Sequence, residues 1–204
     1  MHTPDAPLRS DSRNAPILSP VTVLAFAGIT LGTVAALMME GRRWWCACSA
    51  TSLWAGNIWS AHNSQHLLDP YSFTHVLHGV LFCLIAALAL PRVPFVWRLW
   101  WGTLAEAAWE VLENSAFVIE RYRSVTISLG YEGDSIMNAL ADVACCALGF
   151  ALAQRIGARR SLIVFAVTEV ALLLAIRDNL TLNVLMLLWP VESVKAWQMS
   201  QMGG

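Results

Sequence analysis

Apolar residues in this chain gather into long blocks, and polar residues collect in the connections between them. Five blocks can be drawn, Val21 to Met39, Thr74 to Leu90, Val96 to Val118, Ser135 to Ala153 and Ser161 to Ile176. A membrane-spanning helix needs about 20 apolar residues, with roughly 17 as the lower bound. The fifth block is slightly short, so Arg159, Arg160 and Arg177 are expected to snorkel at its ends. Leu180 to Trp189 is too short to cross and is expected to lie at the interface or re-enter. Between the first two blocks lie 34 residues, Glu40 to Phe73, more than a simple connection needs. Within them Leu53 to His66 can form an amphipathic helix with Trp54 and Trp59 in the headgroup layer.

The pattern predicts an all-α, polytopic transmembrane helix bundle of about five spans. An interfacial helix in the first outer loop and a short C-terminal interfacial or re-entrant helix complete it. Residues 1–20 read as a disordered polar tail, 21–198 as one transmembrane domain and 199–204 as a flexible end. Composition agrees. The 204 residues are 57% apolar and only 13% charged, about half the charge of a soluble domain. Mean hydropathy is +0.55. A net charge of −1 offers no basic surface for nucleic acid. Arg9 and Arg13 precede an apolar run longer than a signal-peptide core, and Met38-Met39-Glu40-Gly41-Arg42-Arg43 follows it instead of a small-residue cleavage site. The first block is therefore read as an uncleaved anchor.

Basic residues divide seven against six between the two sides, which leaves orientation undecided by charge. The connections on one side are short and arginine-bearing, and those on the other long and mixed in charge. This favours a cytoplasmic N-terminus. Of the five cysteines, Cys83, Cys145 and Cys146 fall in apolar blocks and read as packing residues. Cys46 and Cys48 form a Cys-x-Cys pair just beyond the first block, compatible with a soft metal, redox chemistry or two free thiols.

Chemistry concentrates in HNSQHLLDPYSFTHVLHG, which holds His62, His66, His75 and His78, four of the five histidines. His62 and His66, four apart, suit a shared metal ion if helical. His75 and His78 share a face at the start of the second block, beside the helix-entry signal Asp69-Pro70. Glu106, Glu110 and Glu113 also share one face. Trp97, Trp100 and Trp101 open that block, and Glu110 and Glu113 lie roughly 20 Å beyond Trp97. Asp134, Asn138 and Asp142 open the fourth block, and Arg177, Asp178, Asn179 and Asn183 close the fifth. Antiparallel succession puts all of these in the same half of the bilayer. A mid-bilayer carboxylate costs about 2.5–3.5 kcal/mol, so protons, water, a cation or arginines must offset Glu106, Glu110 and Asp142. Glu169 sits deeper and has no assigned role.

The strings WWCACSA, HNSQHLLDPYSFTHVLHG, AAWEVLENSAFVIERYR, GDSIMNALAD and AIRDNLTLNV resemble an uncharacterised bacterial membrane-protein family. It is known as uncharacterised protein family 0314 or domain of unknown function 2585. The resemblance runs from Arg43 to Gln198 and implies a multi-pass protein of the bacterial cell membrane, with no activity attached. The order of a histidine, a glutamate and an Asp/Asn/Gly set on successive spans is also similar to VanZ-like membrane proteins. The counterparts are His75 or His78, Glu110 or Glu113, and Asp134, Asn138, Asp142 and Gly149.

The expected activity is that of an enzyme at the outer leaflet, acting on a lipid headgroup or lipid-linked substrate. His75, His78, Glu110, Glu113 and Asp134 would hold a divalent cation or transfer protons. Asn114, Ser135, Asn138 and Asp142 would orient substrate, and Arg121 and Arg123 would contact phosphate. A non-catalytic assembly or binding protein is the alternative, its polar cluster fixing helix packing. A proton-coupled transporter fits less well, because five spans carry no inverted repeat or broken-helix pair.

Overall fold

The computed structural model describes residues 19–200. Within them are eight helices: α1 (Pro20–Met39), α2 (Ser72–Ala89), α3 (Phe95–Glu113), α4 (Ala116–Val125), α5 (Ile136–Ile156), α6 (Ala158–Ile176), α7 (Leu180–Leu188) and α8 (Glu192–Met199). Most of the expected N-terminal tail and residues 201–204 of the C-terminal one lie outside the described residues. All of the secondary structure among the described residues is helical apart from one isolated bridge, Trp54 to Leu68.

Three helices, α1, α2 and α5, are long and apolar enough to cross a membrane. Helix α1 is apolar around its circumference, as expected of a helix surrounded by apolar material. It exposes Val21, Leu24 and Leu31 while burying Thr22, Ile29, Thr33 and Leu37. Ser19 caps it, its Oγ accepting from Thr22 N at 3.1 Å, and Pro20 sits where an N–H is not needed. Trp100 of α3 donates to the Ala25 carbonyl of α1 at 3.1 Å, which ties the two helices together.

Helices α2 and α5 form the centre, and two glycines explain how closely they meet. A Cβ on Gly79 would run into the Cys146 carbonyl, and one on Gly149 into the Val76 carbonyl. Small residues let the backbones touch, as in close-packed membrane helices. Below this crossing Val80, Cys83 and Ala86 pack against Phe150 and Ala153, with Phe95 and Leu99 of α3 at the margin. Above it, the next turns of α2 and α5 carry His75 and Asp142.

Two sequence expectations are corrected. The third block does not run to Val118. Asn114 closes α3, its N–H and its Nδ2 both reaching the Glu110 carbonyl (3.1 and 3.0 Å), and Ser115 caps the separate helix α4. The interfacial helix over Leu53 to His66 is replaced by turns. Side chains there satisfy the backbone locally and compete with a helix. Asn57 Oδ1 accepts from Trp59 N at 2.9 Å, Asp69 Oδ2 from Ser64 N at 2.9 Å, and Ser64 takes a positive φ of 60°.

The short C-terminal helix appears as α7, and α8 follows as an element the sequence pattern did not predict. Glu169 gains its explanation here. Its carboxylate accepts from Leu180 N (2.9 Å) and Thr181 N (3.0 Å), so an acid on α6 satisfies the open N–H groups of α7. Gln198 holds α8 in place by donating to the Arg177 carbonyl (2.9 Å) and Asp178 Oδ1 (3.1 Å).

Candidate functional site

The α2–α5 crossing and the packing of α3 against both helices bring imidazoles and carboxylates together just above the glycines. His75 Nδ1 lies 2.5 Å from Glu106 Oε1 and 3.2 Å from Glu110 Oε1, and its Nε2 is 3.9 Å from Asp142 Oδ2. His78 Nδ1 lies 3.0 Å from both Glu106 oxygens. Glu106 and Glu110 are fully buried. Both oxygens of Glu110 and Oδ1 of Asp142 have no hydrogen-bond partner, although each is buried. Such atoms are costly unless a proton, water or cation meets them. Two overlapping ligand sets, His75–His78–Glu106 and His75–Glu110–Glu113, have donor atoms close enough to hold a metal ion.

A cavity of about 50 Å³ opens beside this cluster, with His75, His78, Glu113, Asp134 and Asp142 on its wall. All three tyrosines of the chain, Tyr71, Tyr122 and Tyr131, line it as well. Each hydroxyl donates to a polar neighbour: Tyr71 to Asp178 (3.1 Å), Tyr122 to Asn183 (3.0 Å) and Tyr131 to Asp134 (3.0 Å). Burial pushes all three phenols above their ordinary value, so they stay donors. Burial also pushes the Asp134 and Asp178 carboxyls up to about 6.

The expected substrate-orienting residues fall into two groups. Asp142 reaches the cavity, whereas Asn114, Ser135 and Asn138 support its frame. Asn114 Nδ2 donates to Asp134 Oδ2 (2.8 Å) while its Oδ1 accepts from Asp134 N (2.6 Å). Ser135 caps α5 by accepting from Asn138 N, and Asn138 Nδ2 reaches the Leu67 carbonyl at 3.4 Å. Arg121 and Arg123 are absent from the cavity wall. Their Nε atoms donate to the carbonyls of Leu187 (3.0 Å) and Tyr131 (2.5 Å), fastening α4 to its neighbours.

The four histidines expected as metal ligands divide into two separate groups. His75 and His78 belong with Glu106 inside the bundle, while His62 and His66 meet Cys46 and Cys48 in the loop after α1. Glu106 joins the site through the helix face that its spacing predicts, although the sequence pattern points to Glu110 and Glu113. Its i, i+4 relation to Glu110 was the available signal. The tyrosines gave no signal in sequence, since each lies in a different segment and converges only on folding.

Comparison with known proteins gives the family. Residues 37–200 match the family model described as Protein of unknown function (DUF2585). A UPF0314 protein of Paracoccus denitrificans is 44% identical over 186 residues, covering 91% of this chain and 93% of that relative. Another, from Novosphingobium aromaticivorans, is 46% identical over 180 residues, with 86% and 91% covered. A third, R03235 of Rhizobium meliloti, is 44% identical over 176 residues, with 86% and 89% covered. No solved structure matches. With most of its length matched by the family model and by relatives of this similarity, the chain belongs to the UPF0314 family of proteins of unknown function.

Proposed function

We propose that this protein is a multi-pass bacterial inner-membrane enzyme that acts on a lipid headgroup or lipid-linked substrate at the outer leaflet. The five long helices α1, α2, α3, α5 and α6 are its spans. Helices α3 and α6 have 19 residues each, about 28 Å at the usual rise. The acids of α3 face the interior, Glu106 and Glu110 being fully buried, while Trp101 and Leu112 face outward. The outer face of α6 carries Leu162, Ile163, Val167, Val170 and Leu174. A cytoplasmic N-terminus then puts the cavity in the periplasmic half.

The carrying observation is the buried Glu110 carboxylate. It lies 3.2 Å from His75 without a hydrogen bond, beside a cavity walled by tyrosines. A site built only to fix packing would satisfy its buried acids. In this reading His75, His78 and Glu106 hold a divalent cation, which would polarise a phosphoryl or acyl oxygen of the substrate. Glu110 and Glu113 move protons, and Asp134, held by Asn114 and Tyr131, orients the entering group.

The test compares membrane lipids of a deletion strain complemented with the wild-type gene or with Glu110→Gln. Accumulation of one lipid or lipid-linked species in both the deletion and the Gln strain is expected. Unchanged lipids, together with purified protein lacking a cation bound by nitrogen and oxygen alone, would leave the non-catalytic packing role in its place.

A further inference from the structure

The long loop between α1 and α2 carries a second constellation, on different residues and independent of the proposed activity. Cys46, Cys48, His62 and His66 each offer one donor atom, and the four atoms all lie within 4.8 Å of one another. Cys46 Sγ is 3.5 Å from His62 Nδ1, Cys48 Sγ is 3.9 Å from His66 Nε2, and the two imidazole nitrogens are 3.4 Å apart. A tetrahedral zinc ion has Zn–S bonds of about 2.3 Å and Zn–N bonds of about 2.0–2.1 Å. Those bond lengths give S···N edges of about 3.5 Å and N···N edges of about 3.3 Å. We propose that Cys46, Cys48, His62 and His66 form a tetrahedral structural zinc site that clips this loop to the start of α5.

Four observations support the assignment beyond the distances. The spacing Cys-x-Cys, thirteen residues, His-x3-His is close to that of Cys2His2 zinc sites. The thiols are free rather than bridged. Cys48 N donates to Cys46 Sγ at 3.3 Å, the kind of support that orients a thiolate ligand. Finally, two thiolates and two neutral imidazoles cancel the charge of Zn²⁺, which suits a site beside a membrane. Cys46 and His66 are buried while Cys48 and His62 are exposed to an open cleft, so the ion can enter from water.

The consequence for the fold follows from what the loop holds. Ser64, just before His66, accepts at its carbonyl from Ser135 N (2.9 Å), and Gln65 Nε2 donates to the Gly133 carbonyl (2.7 Å). Arg43, just before Cys46, accepts at its carbonyl from Ile136 N (2.8 Å). The clip therefore fixes both strands of the loop against the start of α5, where Asp134 enters the cavity.

The test is zinc content and zinc-edge X-ray absorption of the full chain purified in detergent. One zinc with two sulfurs at about 2.3 Å and two nitrogens at about 2.0–2.1 Å is expected. Cys48→Ser and His62→Ala should each lose that equivalent, and Cys48→His should retain it with one sulfur and three nitrogens. Glu110→Gln should leave the sulfur-bound ion in place, which separates this site from the cation of the proposed activity. A zinc shell without sulfur in the wild-type chain would overturn the assignment, as would a Cys46–Cys48 disulfide in intact mass spectra. A sulfur-bound zinc that survives in the Cys46→Ser/Cys48→Ser double variant would overturn it too.

Discussion

Two histidine pairs thirteen residues apart along the chain, His62–His66 and His75–His78, occupy opposite kinds of environment. The second pair stands on a helix inside the bundle and takes carboxylates as its polar partners, with Glu106 reaching both rings. The first stands on irregular turns at the surface and meets thiols. On α2, backbone hydrogen bonds fix where the rings lie, and the Gly79–Gly149 crossing determines which residues of α3 and α5 they face. In the loop the backbone is held by individual side chains such as Asp69 and Asn57, and the four donor atoms themselves define the site. A helix-borne site is thus only as good as the helix packing, whereas a loop-borne site depends on its own ligands.

The largest effect should come from breaking that packing. Gly79→Val puts a branched side chain into the Cys146 backbone and should abolish recovery of monodisperse protein by size-exclusion chromatography. The corresponding exposed loop change, His62→Ala, should leave the protein recoverable. Recovery of both variants alike would dissolve the distinction between the two pairs.

Next in size is Glu106→Ala, which leaves two imidazoles facing the remaining acids without their shared partner. Breaking a buried ion pair costs about 3–5 kcal/mol. A large fall in melting temperature in detergent is expected, and Glu106→Gln should recover part of it. An unchanged melting temperature would mean that the helix-borne pair does not depend on this carboxylate.

Asp134 connects the two regions, since it lines both the cavity and the cleft beside the cysteines. Burial raises its carboxyl from 3.8 to about 6. Between these values the folded chain binds a proton that the unfolded chain has lost, so stability is greatest below about pH 4 and falls as pH rises to about 6. The contribution is on the order of 3 kcal/mol. Thermal melts across this window should flatten in Asp134→Asn, and an equal slope in the variant would assign the dependence elsewhere.

The smallest effect should be that of Glu169→Gln, remote from both pairs. A neutral amide oxygen can still cap one N–H of α7 but loses the favourable charge at that helix end, a cost of about 1 kcal/mol. Melting should fall by only a few degrees, with the sulfur-bound zinc content unchanged. Loss of that zinc in this variant would show that the loop is coupled to the C-terminal helices.

Much of the framework was legible because helix formation here is governed by local composition. Apolar blocks marked α1, α2, α5 and α6 to within a few residues, and the spacing of His75, His78 and the three glutamates put each set on one helix face. The end of α3 is hidden in the sequence because Asn114 and Ser115 are ordinary polar residues until the fold shows their side chains capping. The Leu53 to His66 segment reads as helix from its apolar spacing, but the turn-forming hydrogen bonds of Asn57, Ser64 and Asp69 override that spacing. Arg121 and Arg123 read in sequence as phosphate contacts, and only the fold shows their Nε atoms donating to the Leu187 and Tyr131 carbonyls.

By itself the chain therefore determined that apolar helices would bury polar faces at a common level, since period and hydropathy are properties of neighbouring residues. Which groups meet was decided only by tertiary structure. Glu106 rather than Glu113 touches both helix-borne histidines, the three tyrosines share one cavity, and two cysteines approach two histidines from across a turn. Those distances depend on the crossing of α2 with α5 and on the path of a long loop. Both are set by contacts between residues far apart in sequence, which local patterns do not encode.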